Sequence, residues 1–168
     1  MKSLLILRHA KSSWKEPILS DHDRPLNNRG KRDAPRMGIL MRREELVPDL
    51  IITSSAMRAR KTADAVANYS GYGGELQIAN SFYLAGPESY IEVLSELGDK
   101  YQRVMVVGHN PGMEELLEEL TDVNERVVTA ALAHVSLPID EWRQLDDSVR
   151  GTLEGFWIPR DLNDIRVD

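Results

Sequence analysis

Four side chains suited to phosphoryl chemistry follow short apolar runs in this sequence. Arg8 and His9 come directly after the residues LLIL, His109 follows VMVVG, and Arg58 lies just beyond a third apolar run. The planar guanidinium of arginine donates two parallel hydrogen bonds to phosphate oxygens. The imidazole of histidine can form a covalent intermediate. The four residues therefore indicate phosphoryl transfer through a phosphorylated histidine.

His9 is the candidate nucleophile. The chain has no cysteine, and it contains neither a G-x-S-x-G elbow nor a P-loop, so an imidazole is the natural attacking group. His9 must be neutral to attack, and neighbouring guanidiniums would lower its pKa. The same cations would stabilise charge on the equatorial phosphoryl oxygens in the transition state. We expect His109 to donate to a phosphoryl oxygen and water to hydrolyse phosphorylated His9.

Alternating strands and helices must position these side chains. Apolar runs predict strands, and amphipathic runs predict helices between them. The first helix is expected to begin regularly near Pro35. The βαβαβαβα order predicts a mostly parallel sheet with helices on both faces, and the last two strands are expected to be antiparallel additions at an edge. The strands lie in SLLILR, DLIITS, LQIA, RVMVVGH, LAHVSLPI and GTLEGFWIP, and the helices in RDAPRMGILMRREEL, SAMRARKTADAVANYS, PESYIEVLSEL and NPGMEELLEEL.

Ligands of an open parallel sheet bind beyond the carboxyl ends of its strands, where the four side chains are predicted to meet. Ser55 and Asn110 are expected to cap the two helices that start there, with Pro111 at the first helical position. Each helix N-terminus would add N–H donors and positive dipole to an anion site. Ser55, Asn110 and the nearby Lys11 are therefore candidate substrate-binding residues.

The composition is typical of one globular domain, which we expect to span residues 1–168. Hydrophobic residues make up 42% and charged residues 29% of the chain, which allows a sizeable core. The net charge of −6 disfavours nucleic-acid binding, although basic residues are concentrated in the first third. The absence of cysteine fits a reducing, cytoplasmic location. The first apolar run is too short for a signal peptide or a membrane span.

Three segments resemble, in order, the signature segments of the histidine phosphatase superfamily, which includes phosphoglycerate mutases and histidine acid phosphatases. They are LLILRHA, SSAMRARKTA and VMVVGHNP. RHAKS and DRPLNNRG are similar to the SixA-type branch, whose members resemble phosphohistidine phosphatases. The resemblance covers about residues 3–121.

This resemblance implies a phosphoglycerate mutase-like fold, a three-layer α/β/α sandwich with a mostly parallel central sheet. It implies that Arg8, Arg58 and His109 bind the phosphoryl group and that His9 becomes phosphorylated. It implies no metal and no organic cofactor. The expected function is hydrolysis of phosphohistidine on a protein, so the expected partner is a phosphorylated protein or a small phosphorylated substrate.

The sequence departs from the superfamily pattern at two positions. Ala10 replaces a glycine, and Asn110 stands where acid phosphatases have a proton-donating aspartate. Mutases use a glutamate from a middle segment, but Glu88 and Glu92 are expected to lie on a solvated helix face. An alkoxide leaving group benefits strongly from a general acid, whereas a protonated imidazole leaves more readily. A site without a strong acid therefore favours a phosphoramidate substrate.

Asp21 and Asp23 lie in a loop that is expected to cover the site. One interpretation is that they shuttle a proton, and the other is that they orient Arg24. The sequence does not decide between these two roles.

Three alternative functions remain. The first is a phosphomonoesterase of the same superfamily that acts on a sugar phosphate or nucleotide. The second is a metal-dependent hydrolase that uses Asp21, His22, Asp23 and His109, although no i, i+4 histidine pair supports it. The third is a phosphate-binding module without catalysis, which would not require a nucleophile.

Overall fold

The computed structural model describes residues 1–167, whose regular elements alternate as the sequence predicts. The strands are β1 (Lys2–Arg8), β2 (Leu50–Ser54), β3 (Leu76–Ala79), β4 (Arg103–Gly108), β5 (Leu132–Leu137) and β6 (Thr152–Trp157). The helices are α1 (Asn28–Arg43), α2 (Met57–Ser70), α3 (Pro87–Ser95) and α4 (Gly112–Thr121). Short 3₁₀ turns join several of them, including one at Asp21–Asp23.

The six strands form one sheet in the order β3-β2-β4-β1-β5-β6. The first four strands in this order are mutually parallel. β5 pairs antiparallel with β1, and β6 pairs antiparallel with β5. The predicted antiparallel additions at the edge are therefore confirmed, and the carboxyl ends of β1, β2 and β4 share one edge of the sheet.

Helices cover both faces of the sheet because successive strand residues point in opposite directions. In β1, Leu4 and Ile6 pack with buried residues of α3 and α4. Leu5 and Leu7 pack with buried residues of α1 and α2 on the other face. All four leucine and isoleucine side chains are fully buried. This confirms the three-layer α/β/α sandwich.

The expected start of α1 near Pro35 is wrong, because Pro35 lies inside the helix. α1 begins at Asn28, and the side chain of Asn27 accepts a hydrogen bond of 2.9 Å from the backbone N–H of Gly30. This cap satisfies a donor that the first turn would otherwise leave unpaired. The cap therefore sets the start of the helix, and the proline is accommodated in its interior.

Within residues 1–167, every helix is too short or too polar to span a bilayer.

Candidate active site

The structure brings Arg8, His9, Arg58 and His109 to the carboxyl edge of the sheet. β1 and β4 are parallel neighbours with Arg8 opposite Gly108, so His9 and His109 leave the two strands at the same level. Their ring centroids lie 5.1 Å apart. Arg58 is the second residue of α2, which follows β2 on the other side of β4. The fold therefore places these four side chains together at this edge of the sheet.

His9 is held in one tautomer by its neighbour in sequence. Its Nδ1 lies 2.8 Å from the carbonyl oxygen of Ala10, which can only accept, so Nδ1 carries the proton. The lone pair of the neutral ring therefore lies on Nε2, which is the atom that can attack. The end of β1 is also tied to α2, since the N–H of Ala10 donates to Thr62 Oγ1 at 2.9 Å and that hydroxyl donates to the carbonyl of Arg58 at 2.7 Å.

Burial keeps both imidazoles neutral. Only 7% of His9 and 3% of His109 is exposed. Burial lowers the pKa of His9 to about 3; the hydrogen bond to Ala10 opposes this shift, and the charges of Arg58 and Arg8 add smaller effects in the same direction as burial. Burial also lowers the pKa of His109 to about 4, with Arg58 as the next largest cause. The guanidiniums therefore act as expected, but desolvation is the larger effect.

Ser54 is a residue of the site that the sequence did not single out. Its Oγ lies 2.7 Å from Nε2 of His109 and accepts from the N–H of Ala56 at 3.3 Å. The hydroxyl can donate its proton to Nε2, and in that arrangement the imidazole proton of His109 lies on Nδ1. Nδ1 of His109 is buried without a protein partner within residues 1–167. Such a donor is suited to a phosphoryl oxygen.

The two arginines are anchored differently. Arg58 donates to the carbonyl oxygen of Asp21 at 2.7 Å and to its carboxylate at 3.1 Å. Arg8 donates to the carbonyl of Val127 at 3.1 Å, and its Nε is buried without a partner within residues 1–167. Burial lowers the pKa of Arg8. Both guanidiniums are thus oriented before any anion binds.

Asp21 lies in the site as an orienting carboxylate. It accepts from Tyr83 at 2.6 Å, from Arg24 at 2.9 Å and from Arg58 at 3.1 Å. The Tyr83 hydrogen bond and the two guanidiniums hold the pKa of Asp21 far below its usual range. The geometry therefore fits the orienting interpretation for Asp21, because a carboxylate that stays ionised is a poor proton donor.

Asp23 is turned away from the four central residues. Its side chain is 59% exposed and lies 3.5 Å from His22, and it accepts from Ser20 at 3.1 Å. Arg24 is oriented by Asp21 rather than by Asp23. The contacts of Asp23 therefore support neither the proton-shuttle role nor the role of orienting Arg24.

The two expected helix caps are wrong. The cap positions belong to Ala56 and Pro111, neither of which makes a side-chain capping bond. Ser55 instead pairs with Nε2 of His22 at 3.0 Å, and Asn110 donates to the carbonyl of Val127 at 2.8 Å. Both side chains find tertiary partners that the local sequence does not reveal.

Four other residues that the sequence singles out lie outside the central cluster. Lys11 is half-buried, and its backbone carbonyl accepts from the N–H of Asn27 at 3.0 Å; its role in substrate binding stays a prediction. Glu88 and Glu92 are exposed on α3, as expected for a solvated helix face. Ala10 is fully buried in a small apolar cluster with Ala34, which accounts for a methyl group in place of glycine.

The residues of the metal-dependent alternative do not form a ligand set. Within residues 1–167, no group of three or more histidine, aspartate and glutamate side chains is arranged to hold a metal ion. Asp21 is engaged by cations and Asp23 faces solvent. The arrangement therefore gives this alternative no support.

Comparison with known proteins agrees with this site. The family model of the histidine phosphatase superfamily (branch 1) matches residues 4–82. An uncharacterized protein of Mycobacterium tuberculosis (strain H37Rv) is 30% identical over 165 residues, which cover 92% of this chain and 100% of that protein. A buried pair of imidazoles with two arginines at a sheet edge is an arrangement suited to a phosphoanion. The chain belongs to the histidine phosphatase superfamily and is a phosphatase of that superfamily.

Solved structures share the fold over nearly the whole chain. A protein of Agrobacterium tumefaciens provisionally named phosphohistidine phosphatase SixA is 30% identical, with a TM-score of 0.81 and coverage of 94% of this chain and 98% of that one. The protein histidine phosphatase SixA complexed with tungstate has a TM-score of 0.82 at 21% identity, covering 96% and 99%. A mycobacterial glucosyl-3-phosphoglycerate phosphatase has a TM-score of 0.69 at 14% identity, covering 92% and 97%. The last two likenesses concern the fold alone.

Proposed function

We propose that this phosphatase hydrolyses phosphohistidine on a protein and that His9 carries the phosphoryl group between substrate and water. The observation on which the proposal rests is the set of hydrogen bonds that keeps Asp21 ionised. This carboxylate is fixed as an anion by Tyr83, Arg24 and Arg58. It therefore supplies charge and orientation to the site but no proton.

The first step would transfer the phosphoryl group between two imidazoles. Nε2 of His9 attacks phosphorus, the P–N bond of the substrate breaks, and the leaving imidazole takes a proton from water. The bond that forms and the bond that breaks are of the same type, so this transfer is close to thermoneutral. Arg8 and Arg58 would hold the equatorial oxygens throughout, with His109 donating through Nδ1.

In the second step, water attacks phosphorus and the P–Nε2 bond of His9 breaks, with its electron pair returning to Nε2. The departing phosphate keeps both protons of the water as H2PO4⁻, so His9 returns to the neutral Nδ1–H form. Because imidazole is the leaving group in both steps, neither requires a strong acid such as the aspartate that Asn110 replaces. The structural similarity to the Agrobacterium tumefaciens protein provisionally named phosphohistidine phosphatase SixA supports the same substrate class.

The alternative is a small phosphomonoester, which the fold also supports in a glucosyl-3-phosphoglycerate phosphatase. The test compares kcat/KM for a phosphohistidine peptide, phosphoimidazole, a sugar phosphate and a nucleotide. We expect the two phosphoramidates to exceed the two alkyl esters by at least about 100-fold, the lower range for one missing general acid. Equal or higher activity on the esters would contradict the proposal.

We also propose that turnover needs no metal and that the protein works in the cytoplasm as one domain over residues 1–168. The proposal of metal-independent turnover rests on the two arginines, which supply positive charge, and on the two imidazoles, which supply a nucleophile and a hydrogen-bond donor. Full activity in a chelating buffer is expected, and activity restored only by zinc or manganese would contradict it. The cytoplasmic proposal rests on the absence of cysteine, and cell fractionation tests it.

A further inference from the structure

An arginine-lined groove leads away from the phosphoanion site. A cavity of about 590 Å³ begins at Arg8 and Asn110 and continues past Val128 and Ile158 to Arg160. A second cavity of about 460 Å³ shares the last three of these residues, so the two are continuous. We call the joined cavities the arginine groove. Each has the volume of a small-ligand site, and together they suit an extended ligand.

The groove is basic although the protein is acidic. Arg126, Arg160, Arg29 and Arg32 line it, and all four are exposed. The net charge of the whole chain is −6, so the excess of arginine here is local. Because charges on one surface act mainly within a Debye length of about 8 Å at physiological salt, a ligand in the groove would meet this local charge.

The acidic residues that line the groove offset only part of the positive charge of its arginines. Of the three that line it, Glu114 accepts from the N–H of Val127 at 2.8 Å, so it is used within the protein. The side chain of Asp33 is only 7% exposed and pairs with the buried Arg36 at 3.1 Å. The same carboxylate lies 3.7 Å from Arg32 and 4.0 Å from Arg29, so one negative charge is shared among three guanidiniums. Glu125 is exposed. The positive excess is greatest in the second cavity, away from Arg8.

Arg36 connects two segments that line the second cavity. Besides Asp33, it donates to the carbonyls of Pro159 and Ile165 at 3.1 and 3.3 Å. These bonds fasten the segment after β6 onto α1. Arg29 and Arg32 of α1 and Arg160 of that segment line the same cavity, together with the apolar side chains of Val128 and Ile158.

We propose that the arginine groove binds an acidic segment of the protein substrate, with the phosphorylated residue at Arg8 and aspartate or glutamate residues toward Arg29 and Arg32. Guanidiniums match carboxylates in bidentate pairs, and exposed charges of this kind govern association and specificity. A small phosphate ester would occupy only the end of the groove at Arg8. This inference rests on the proposed function, and it names the kind of protein that the phosphatase would recognise.

The test uses two phosphohistidine peptides of equal length. In one, the phosphorylated residue is flanked by aspartate and glutamate, and in the other by asparagine and glutamine. We expect kcat/KM for the acidic peptide to be about tenfold higher at low salt and the preference to shrink as salt rises. Equal values for the two peptides would overturn the proposal.

Variants then locate the effect. The double variant R29Q/R32Q should lose roughly twofold to fivefold per arginine on the acidic peptide, with phosphoimidazole turnover unchanged. The matched control is R42Q/R143Q, which removes the same charge from exposed positions outside the groove. An equal loss in the control would show a general charge effect and overturn the proposal.

A binding measurement separates this proposal from the proposed function. Fluorescence anisotropy of a labelled acidic peptide without phosphohistidine reports docking alone. If the peptide binds wild type more tightly than R29Q/R32Q while no phosphoramidate is hydrolysed, the acidic-segment proposal is supported and the proposed phosphohistidine substrate is contradicted. If phosphoimidazole is hydrolysed but the acidic peptide binds no better than its amide counterpart, the acidic-segment proposal is contradicted and the proposed phosphohistidine hydrolysis is supported.

Discussion

Arg58 and Arg160 are the same residue type in opposite settings. Arg58 is 5% exposed, and its guanidinium is fixed by two bonds to Asp21. The side chain of Arg160 is 84% exposed, and its nearest carboxylate, that of Asp161, is 3.9 Å away. A buried, oriented cation needs no rearrangement when charge develops in the transition state, whereas an exposed one is screened and acts on encounter. Burial and anchoring thus decide what each arginine contributes.

The most direct test of this difference between buried and exposed arginines is to replace one arginine of each kind with glutamine. R58Q should lower kcat/KM for phosphoimidazole by roughly 10²- to 10³-fold, as for other groups that stabilise a transition-state charge. R160Q should change the same rate by less than about twofold, since a substrate as small as phosphoimidazole does not extend along the groove from Arg8 to Arg160. Steady-state rates with circular dichroism as a check on folding give the answer. A loss below tenfold in R58Q would refute the assignment.

A smaller effect is expected from Ser54, which acts through His109. S54A leaves Nε2 of the buried imidazole without its partner, and we expect about a tenfold loss of kcat from a penalty of roughly 1–3 kcal/mol. The ¹⁵N shifts of His109 should change from the Nδ1–H tautomer to a mixture. A structural role alone would leave that tautomer intact.

Ser55 provides the matched control, because it carries the same hydroxyl but contacts His22 instead. S55A should keep kcat within about twofold of wild type, the effect of losing a single, partly buried polar contact away from His109. Equal losses in the two variants would show that the tautomer of His109 does not depend on Ser54.

The smallest expected effect is an absence of titration. Since burial disfavours the charged imidazole, the ring protons of His9 and His109 should keep constant NMR shifts from pH 7 down to about 5, and His109 should begin to titrate first, near pH 4. In the urea-unfolded protein both should titrate near the ordinary histidine value of about 6.5. Titration of either ring near pH 6.5 in the folded protein would show that it is hydrated and charged.

The sequence predicts the parts of this molecule that follow from periodic patterns. Apolar runs identify the strands, and the shared carboxyl edge of parallel strands brings Arg8, His9 and His109 together. Side chains that depend on tertiary partners were not predictable in this way. Ser55 and Asn110 belong to residue types that often cap helices, yet His22 and Val127 supply their partners.

The loop between β1 and α1 shows the same limit. Asp21 is placed by Tyr83 and Arg58, which are distant in sequence, so no local pattern separates the orienting role from the proton shuttle. Ser54 is likewise an ordinary strand residue until β4 is set beside β2. The Pro35 signal failed because the cap at Asn27 determines where α1 begins.

The central claim is that His9 accepts the phosphoryl group, and trapping the intermediate tests it most directly. A reaction with ³²P-labelled phosphohistidine peptide is quenched in alkali, which preserves phosphorylated imidazole, and the labelled protein is digested and mapped by mass spectrometry, with H9Q as the control. Label on His9 in wild type and none in H9Q is the predicted result. Stable label on His22, His109 or any other residue, or undiminished labelling of H9Q, would contradict the account.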